Sequence, residues 1–247
     1  MNPFYQTLLF LLGTCLASFI NACSMRLLEP KETIFDPSRC RSCDQQLKFW
    51  QLIPVFSWLL QKGKCGCKKM KPISPQYFLT EICLGCLFLG VSFIMPWGLE
   101  FAFILIFLSI GFFIFLTDVD KQLLHFPTLI FGIICGLIFT YLFYDIWRGL
   151  FGAGLGFFTL YLINWIFMKF KNRQGFGDGD KYLLAMLGAW FGPILVLQSL
   201  VLSSWLGIIF MGCCYLKSKT ILKKIAYGPF LVSAAVLIQI NQYLSFI

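Results

Sequence analysis

The sequence predicts an all-α, polytopic membrane protein of about eight transmembrane helices, with one cytoplasmic cysteine-rich loop between the first and second. Three observations predict it. Hydrophobic residues make up 59% of the 247-residue chain and charged residues only 13%, where a soluble domain carries roughly 45–50% and about 25%. The mean hydropathy is +0.80. The apolar residues gather in runs of the size, about 20 residues, that carries a helix across a hydrocarbon core about 30 Å thick. These features exclude a soluble enzyme, a disordered chain and a nucleic-acid-binding domain. A single histidine, His125, excludes an H-E-x-x-H zinc protease and leaves a Ser-His-Asp set open only through that residue.

Apolar runs of spanning size lie near 5–24, 77–95, 99–117, 126–145 and 148–168, with a last one at 226–246. Residues 182–216 form one run of 35. As a single helix it would measure about 52 Å, too long to cross once. Gly192-Pro193 interrupts it, so two passes are expected, 181–197 and 198–216. The first run is expected to stay on the protein, since no basic residue precedes it and no small-residue cleavage site follows.

Net charge is +9, from 20 Lys and Arg against 11 Asp and Glu. Ten of the basic residues lie between Arg26 and Lys71, the one long polar segment. The positive-inside rule makes that segment cytoplasmic. Eight passes then put 117–125, 169–181 and 217–225 on the same side, so that only Arg148 of the 20 basic residues lies outside. Six passes would strand the last lysine cluster on the wrong face. Both termini are therefore expected outside the cytoplasm, and the positive charge speaks for orientation rather than for nucleic acid. The expected organisation is a first transmembrane helix over 1–25, the cysteine-rich loop over 26–75 and a membrane core over 76–247.

The loop carries Cys40-Arg-Ser-Cys43 and Cys65-Gly-Cys67. Two short-spaced thiol pairs can supply the four soft ligands of a tetrahedral zinc site, and a cytoplasmic setting disfavours disulfides. Zinc held by Cys40, Cys43, Cys65 and Cys67 is the expectation; reduced thiols in an otherwise ordered loop are the alternative. The remaining seven cysteines sit in or beside apolar helices and suit packing.

Acids at the ends of membrane helices are functional candidates. Asp118 and Asp120 close the third helix, and Gly175-Phe-Gly-Asp178-Gly-Asp180 opens the sixth. By the charge pattern both clusters share one face and can meet. Two carboxyls a few ångströms apart share a proton, one serving as base for water and the other as acid for a scissile carbonyl. Positions two apart on a helix differ by about 200°, so one acid of each cluster faces such a site. Solvated acids paired with Lys121 and Lys181 are the plainer alternative.

At these residues the chain resembles the type IV prepilin peptidases, membrane aspartic proteases with a G-x-G-D motif. Gly177-Asp178-Gly179-Asp180 followed by Lys181-Tyr-Leu-Leu-Ala-Met-Leu-Gly-Ala-Trp190 is similar to the family's second catalytic segment. Ala17-Ser18-Phe19-Ile20-Asn21 with Arg26 and Pro30 resembles its N-terminal signature, with Ala17 in place of glycine. Cys40-x-x-Cys43, Ile53-Pro54, Ser57-Trp58-Leu59, Gly63-Lys64-Cys65 and Thr80-Glu81 resemble its cysteine loop, although the second pair here is C-x-C. Tyr227-Gly228-Pro229-Phe230 resembles its last-helix motif.

The resemblance implies a catalytic pair of Asp118 and Asp180, with Gly177, Asp178, Gly179, Lys181 and Glu81 as auxiliary residues. Pro127 lies nine residues past Asp118 and seven past Asp120; the family's proline lies seven past its first aspartate, which keeps Asp120 a rival. It implies cleavage of the basic leader of prepilins or pseudopilins, after a glycine, at the cytoplasmic face of the bacterial inner membrane. N-methylation of the new N-terminal residue from S-adenosylmethionine follows in many members. Two other classes stay open: an ion or proton-coupled transporter using boundary carboxylates, and a non-enzymatic assembly protein with a zinc-bound docking loop. Gly152-x-x-x-Gly156 is expected to be a helix-packing face.

Overall fold

The computed structural model describes residues 3–27, 37–40, 45–65, 72–172, 175–219 and 225–245. Among them there is no β-strand, and the chain divides into two compact units, 1–97 and 98–247.

The first unit holds α1 (Pro3–Arg26), a 3-10 turn (Phe49–Leu52), α2 (Phe56–Leu60) and α3 (Pro75–Ile94). α3 starts at Ser74, whose hydroxyl accepts from the Gln76 N–H at 3.3 Å, with Pro75 in the first turn where its missing N–H costs nothing. α1 packs along α3. Asn21 is buried between them and donates from Nδ2 to Thr80 Oγ1 at 2.7 Å. In the cysteine-bearing segment, two isolated antiparallel bridges pair Arg39 with Gln46 and Lys64 with Pro72.

The second unit is a bundle of α4 (Leu99–Lys121), α5 (Phe126–Phe143), α6 (Ile146–Lys171), α7 (Asp180–Phe191), α8 (Pro193–Ser218) and α9 (Gly228–Ser245). α4 and α6 end on Gln122 and Asn172 in the left-handed conformation, φ 51° and 49°; each donates its N–H back to a carbonyl four residues earlier, which closes the helix. α6 starts at Asp145, whose Oδ1 accepts from the Trp147 N–H at 3.1 Å. α7 is the core. Leu183–Phe191 are all buried, as expected of a helix that is apolar on every side. Trp190 anchors it: Nε1 donates to the Gly132 carbonyl of α5 at 2.8 Å, and the ring lies 5.2 Å from Phe107 of α4 and 5.3 Å from Phe139 of α5.

α6 crosses α7 backbone to backbone. A Cβ on Gly152 would collide with the Gly188 carbonyl, and one on Gly188 with the Gly152 carbonyl; one on Gly156 would lie 2.5 Å from the Leu184 carbonyl. The expected packing face at Gly152 and Gly156 is thus where α6 meets the core helix.

Six of the helices, α1, α3, α4, α5, α6 and α8, are long and apolar enough to cross a membrane. The long run after 181 does break, but at Gly192, φ 83°, with Pro193 opening α8, rather than at the expected 197. α7 therefore has 12 residues, about 18 Å, short of a full crossing. The hydropathy runs on through the break because both helices are apolar, so only the Gly-Pro pair marks it.

Candidate active site

Three connections meet at one end of the second unit: the turn after α4, the loop before α7 and the start of α9. Asp118 lies in the last turn of α4 and is 5% exposed; Asp180 opens α7 and is 6% exposed. Asp118 Oδ2 accepts from the Gly228 N–H at 2.8 Å, and Asp180 Oδ2 accepts from the Gly177 N–H at 2.9 Å. Each carboxyl thus has a backbone N–H from a glycine. A Cβ on Gly228 would lie 2.7 Å from Asp118 Oδ2 and 3.4 Å from Leu183 of α7, so the absence of a side chain there lets α9 close on both helices.

Burial pushes the Asp180 carboxyl up, and the negative charge of Asp118 pushes it further, against the lowering pull of the Gly177 N–H; the result is about 7. A carboxyl poised near neutrality beside a second carboxyl can hold or release one proton under working conditions, the requirement for general acid–base chemistry.

The other predicted residues separate by helix phase. Asp120, two residues on, and Asp178, two residues before, are both exposed. Lys181 Nζ bonds Asp178 Oδ1 at 3.2 Å. Gly179 lies against Leu124, which packs the turn after α4 under the start of α7. Glu81 belongs to the first unit: it is buried in α3, and its Oε2 accepts from the Val55 N–H at 2.7 Å and its carboxyl from Ser18. Val55 sits at φ 63°, an uncommon backbone state for a β-branched residue.

Of the expected zinc ligands, Cys40 and Cys65 bring their sulfurs within 3.0 Å of each other; Cys43 and Cys67 lie outside the described residues. Sulfurs on one tetrahedral zinc stand about 3.8 Å apart, so one thiol from each pair meets its opposite, though closer than shared ligation would set them. Among the described residues, no group of three or more His, Cys, Asp or Glu comes together.

Two supports of the site are given no role by the sequence, although Tyr227 stands in the Tyr227-Gly228-Pro229-Phe230 motif. Asn164 of α6 clamps the loop before α7: its Oδ1 accepts from the N–H groups of Gly175 (3.1 Å) and Phe176 (2.8 Å), and its Nδ2 donates to the Phe176 carbonyl (3.2 Å). Its signal was a lone amide within an apolar run. Tyr227 precedes the Gly228 donor, shares a 2.7 Å hydrogen bond with Ser203 of α8, and packs its ring 5.0 Å from Phe176.

The chain matches two described sequence families, the bacterial peptidase A24 N-terminal domain over residues 11–95 and the type IV leader peptidase family over residues 105–212. Three relatives are named prepilin leader peptidase/N-methyltransferase. The one from Myxococcus xanthus is 31% identical, over 84% of this chain and 62% of its own length. That from Stutzerimonas stutzeri is 35% identical, over 80% and 69%, and that from Klebsiella pneumoniae 33%, over 82% and 92%. The chain thus spans less than two thirds of the Myxococcus protein. No solved structure matches it. With both of its units matched in chain order, and with relatives above 30% identity aligned over most of their length, the chain belongs to the type IV leader peptidase family.

Proposed function

We propose that this chain is a membrane aspartic endopeptidase that removes the leader of prepilins or pseudopilins after a glycine, with Asp118 and Asp180 as the catalytic pair. The observation that carries the proposal is the buried pair itself: Asp180, poised at about 7, faces the charge of Asp118. Ionised Asp118 takes a proton from water as that water attacks the scissile carbonyl. Protonated Asp180 gives its proton to the carbonyl oxygen; as the diol collapses, Asp118 passes the proton it took to the leaving amine and Asp180 takes one back from the diol hydroxyl. The Gly228 and Gly177 N–H groups aim the two carboxyls. Asp120 is exposed where Asp118 is buried, which supports Asp118 over its rival. Gly177, Gly179, Asp178 and Lys181 act on the loop, not on the peptide.

N-methylation of the new N-terminal residue, the second activity in the relatives' names, follows cleavage and draws its methyl group from S-adenosylmethionine. Buried Glu81, hydrogen-bonded by Ser18, is the carboxylate of the first unit suited to an ammonium or sulfonium group. Zinc on Cys40, Cys43, Cys65 and Cys67 would be structural, supplying a crosslink within the segment 26–75 and no chemistry at the aspartates. The protein lies in the bacterial inner membrane. The lysines at the ends of α4, α6 and α8 support a cytoplasmic face for the aspartates, with both termini outside.

Mass spectrometry of a co-expressed prepilin tests cleavage and methylation together. Asp118→Asn and Asp180→Asn leave the leader in place, while Asp120→Asn removes it normally; normal processing by Asp180→Asn overturns the mechanism. Glu81→Gln yields a cleaved but unmethylated product, and full methylation by that variant removes Glu81 from the second step. Metal analysis of the purified chain reads zinc directly, with about one equivalent expected, lost on Cys40→Ser.

A further inference from the structure

The segment between α1 and α3 carries an apolar surface that no membrane crossing accounts for. Phe49 is 85% exposed, Leu60 68% and Phe56 61%, with Leu59, Ile53 and Trp50 exposed around them. Soluble surfaces rarely gather such a patch without a partner.

Two contacts fix the depth of this patch. Trp58 of α2 stacks on Phe78 of α3, ring centroids 4.7 Å apart at 26°, and the Val55 N–H at the start of α2 donates to Glu81 of α3. Phe78 and Glu81 lie three and six residues into a 20-residue helix of membrane-crossing length, about 4.5 and 9 Å along its axis. A segment clamped at that depth does not stand in bulk water. With the start of α3 set at the headgroup boundary, it falls at the level where amphipathic elements bury their apolar side, about 5–10 Å into the headgroup–acyl boundary. Leu79, between the two contacts on α3, is itself 62% exposed, as a lipid-facing side chain is. The flanks complete the pattern. Lys48 precedes the patch and Lys62 and Lys64 follow it, all exposed. Lysine stems can run along apolar surface and place their ammonium groups among anionic headgroups.

We propose that Phe49–Leu60 is an interfacial foot, seated in the phospholipid leaflet at which α3 begins. The foot ties the cysteine-bearing segment to the membrane surface at a fixed height rather than leaving it on a free tether. Its apolar face meets acyl chains, and its lysines meet phosphate.

Photo-crosslinking tests this on the full chain. A benzophenone side chain is placed at Phe49 or Leu60, one at a time, with Phe158 as reference, a 65% exposed residue of the spanning helix α6. Each protein is reconstituted in phosphatidylethanolamine–phosphatidylglycerol vesicles, with and without a prepilin, and illuminated. The expected result is an adduct of one phospholipid mass at both positions, as at Phe158, whether or not prepilin is present. A phospholipid adduct at Phe158 but at neither test position overturns the proposal. So does an adduct only to prepilin, which would make the patch a docking face for the substrate's apolar helix.

Discussion

The two ends of the second unit both gather carboxylate groups between helices, and they treat them oppositely. At one end, Asp118 and Asp180 face each other's charge with a single backbone N–H on each. At the other, Glu100 at the start of α4 accepts from Tyr243 of α9 at 2.7 Å and from Tyr144 after α5 at 3.3 Å. Arg148 of α6 lies 4.4 Å over the Tyr144 ring and donates to the Phe191 carbonyl at the end of α7 at 3.0 Å. One carboxylate with two hydroxyl donors and a cation nearby is a fastening, and it ties the ends of five helices together. Two buried carboxylates with no cation on either among the described residues are costly unless they share a proton, and such a cost is typical of functional sites.

The sharpest way to break this contrast is to remove one carboxylate from each end. Asp118→Asn and Asp180→Asn each lower leader cleavage by about 10²–10⁴-fold, the usual worth of a general acid or base. Glu100→Gln leaves the cleavage rate within about twofold, because it removes charge from a fastening and not from the reaction. Steady-state cleavage by the purified variants measures both. A Glu100→Gln variant as inactive as Asp180→Asn would erase the distinction between the ends.

A smaller effect is expected where the reactive end relies on having no side chain. Gly228→Ala puts a methyl group 2.7 Å from Asp118 Oδ2, so either the carboxylate or the start of α9 must move. The N–H to Asp118 is then lost or lengthened. A hydrogen bond to a charged group contributes roughly 1.5–3 kcal/mol, which corresponds to about 10–100-fold in rate. The loss is expected in kcat rather than KM, since that N–H is already taken by Asp118. An unchanged kcat would detach Gly228 from the pair.

The pH dependence follows from the same geometry. Asp180 must be protonated to act as the acid, and its carboxyl is pushed up to about 7. Cleavage therefore falls as pH rises through about 7, tenfold per unit at the limit. In Asp118→Asn the neighbouring charge is gone, so the Asp180 carboxyl band in infrared difference spectra ionises at lower pH than in the parent. The linked stability has the matching sign. The unfolded acid releases its proton near 3.8 and the folded one near 7, so the folded chain holds the extra proton between those values. Stability contributed by this group is full below about 4 and is lost as pH rises toward about 7.

Much of this contrast is legible in the sequence. The glycine alternation marks the loop of Asp178 and Asp180 as a candidate, and helix phase puts Asp118 and Asp120 on opposite faces, because both are local properties of the chain. Gly152 and Gly156 announced the α6–α7 crossing for the same reason. What escaped was long-range. Asn164 looks like any stray amide until the loop at 175–176 folds back onto it, and Gly228 is 110 residues from the carboxylate it serves. Glu100, Tyr144, Arg148 and Tyr243 lie at four helix ends and show no pattern in sequence. The short length of α7 was hidden by an apolar run that continues into α8.

The mildest test addresses the fastening alone. Tyr243→Phe keeps the ring in place and removes the hydroxyl that donates to Glu100 at 2.7 Å. Tyr144 remains as a second donor at 3.3 Å, so the carboxylate is not left bare. The loss is then the net worth of one hydrogen bond at a half-exposed site, about 1 kcal/mol, or a few degrees in Tm for a unit of this size. Cleavage should not change, and the alkaline limb near 7 should not move, because no charge at the reactive end is altered. Fluorescence-monitored unfolding in detergent alongside the pH profile reads both quantities from one preparation. A shift of the pH profile with no change in Tm would mean that the two ends are coupled through the short core helix, and that the fastening tunes the aspartates as well as holding the bundle.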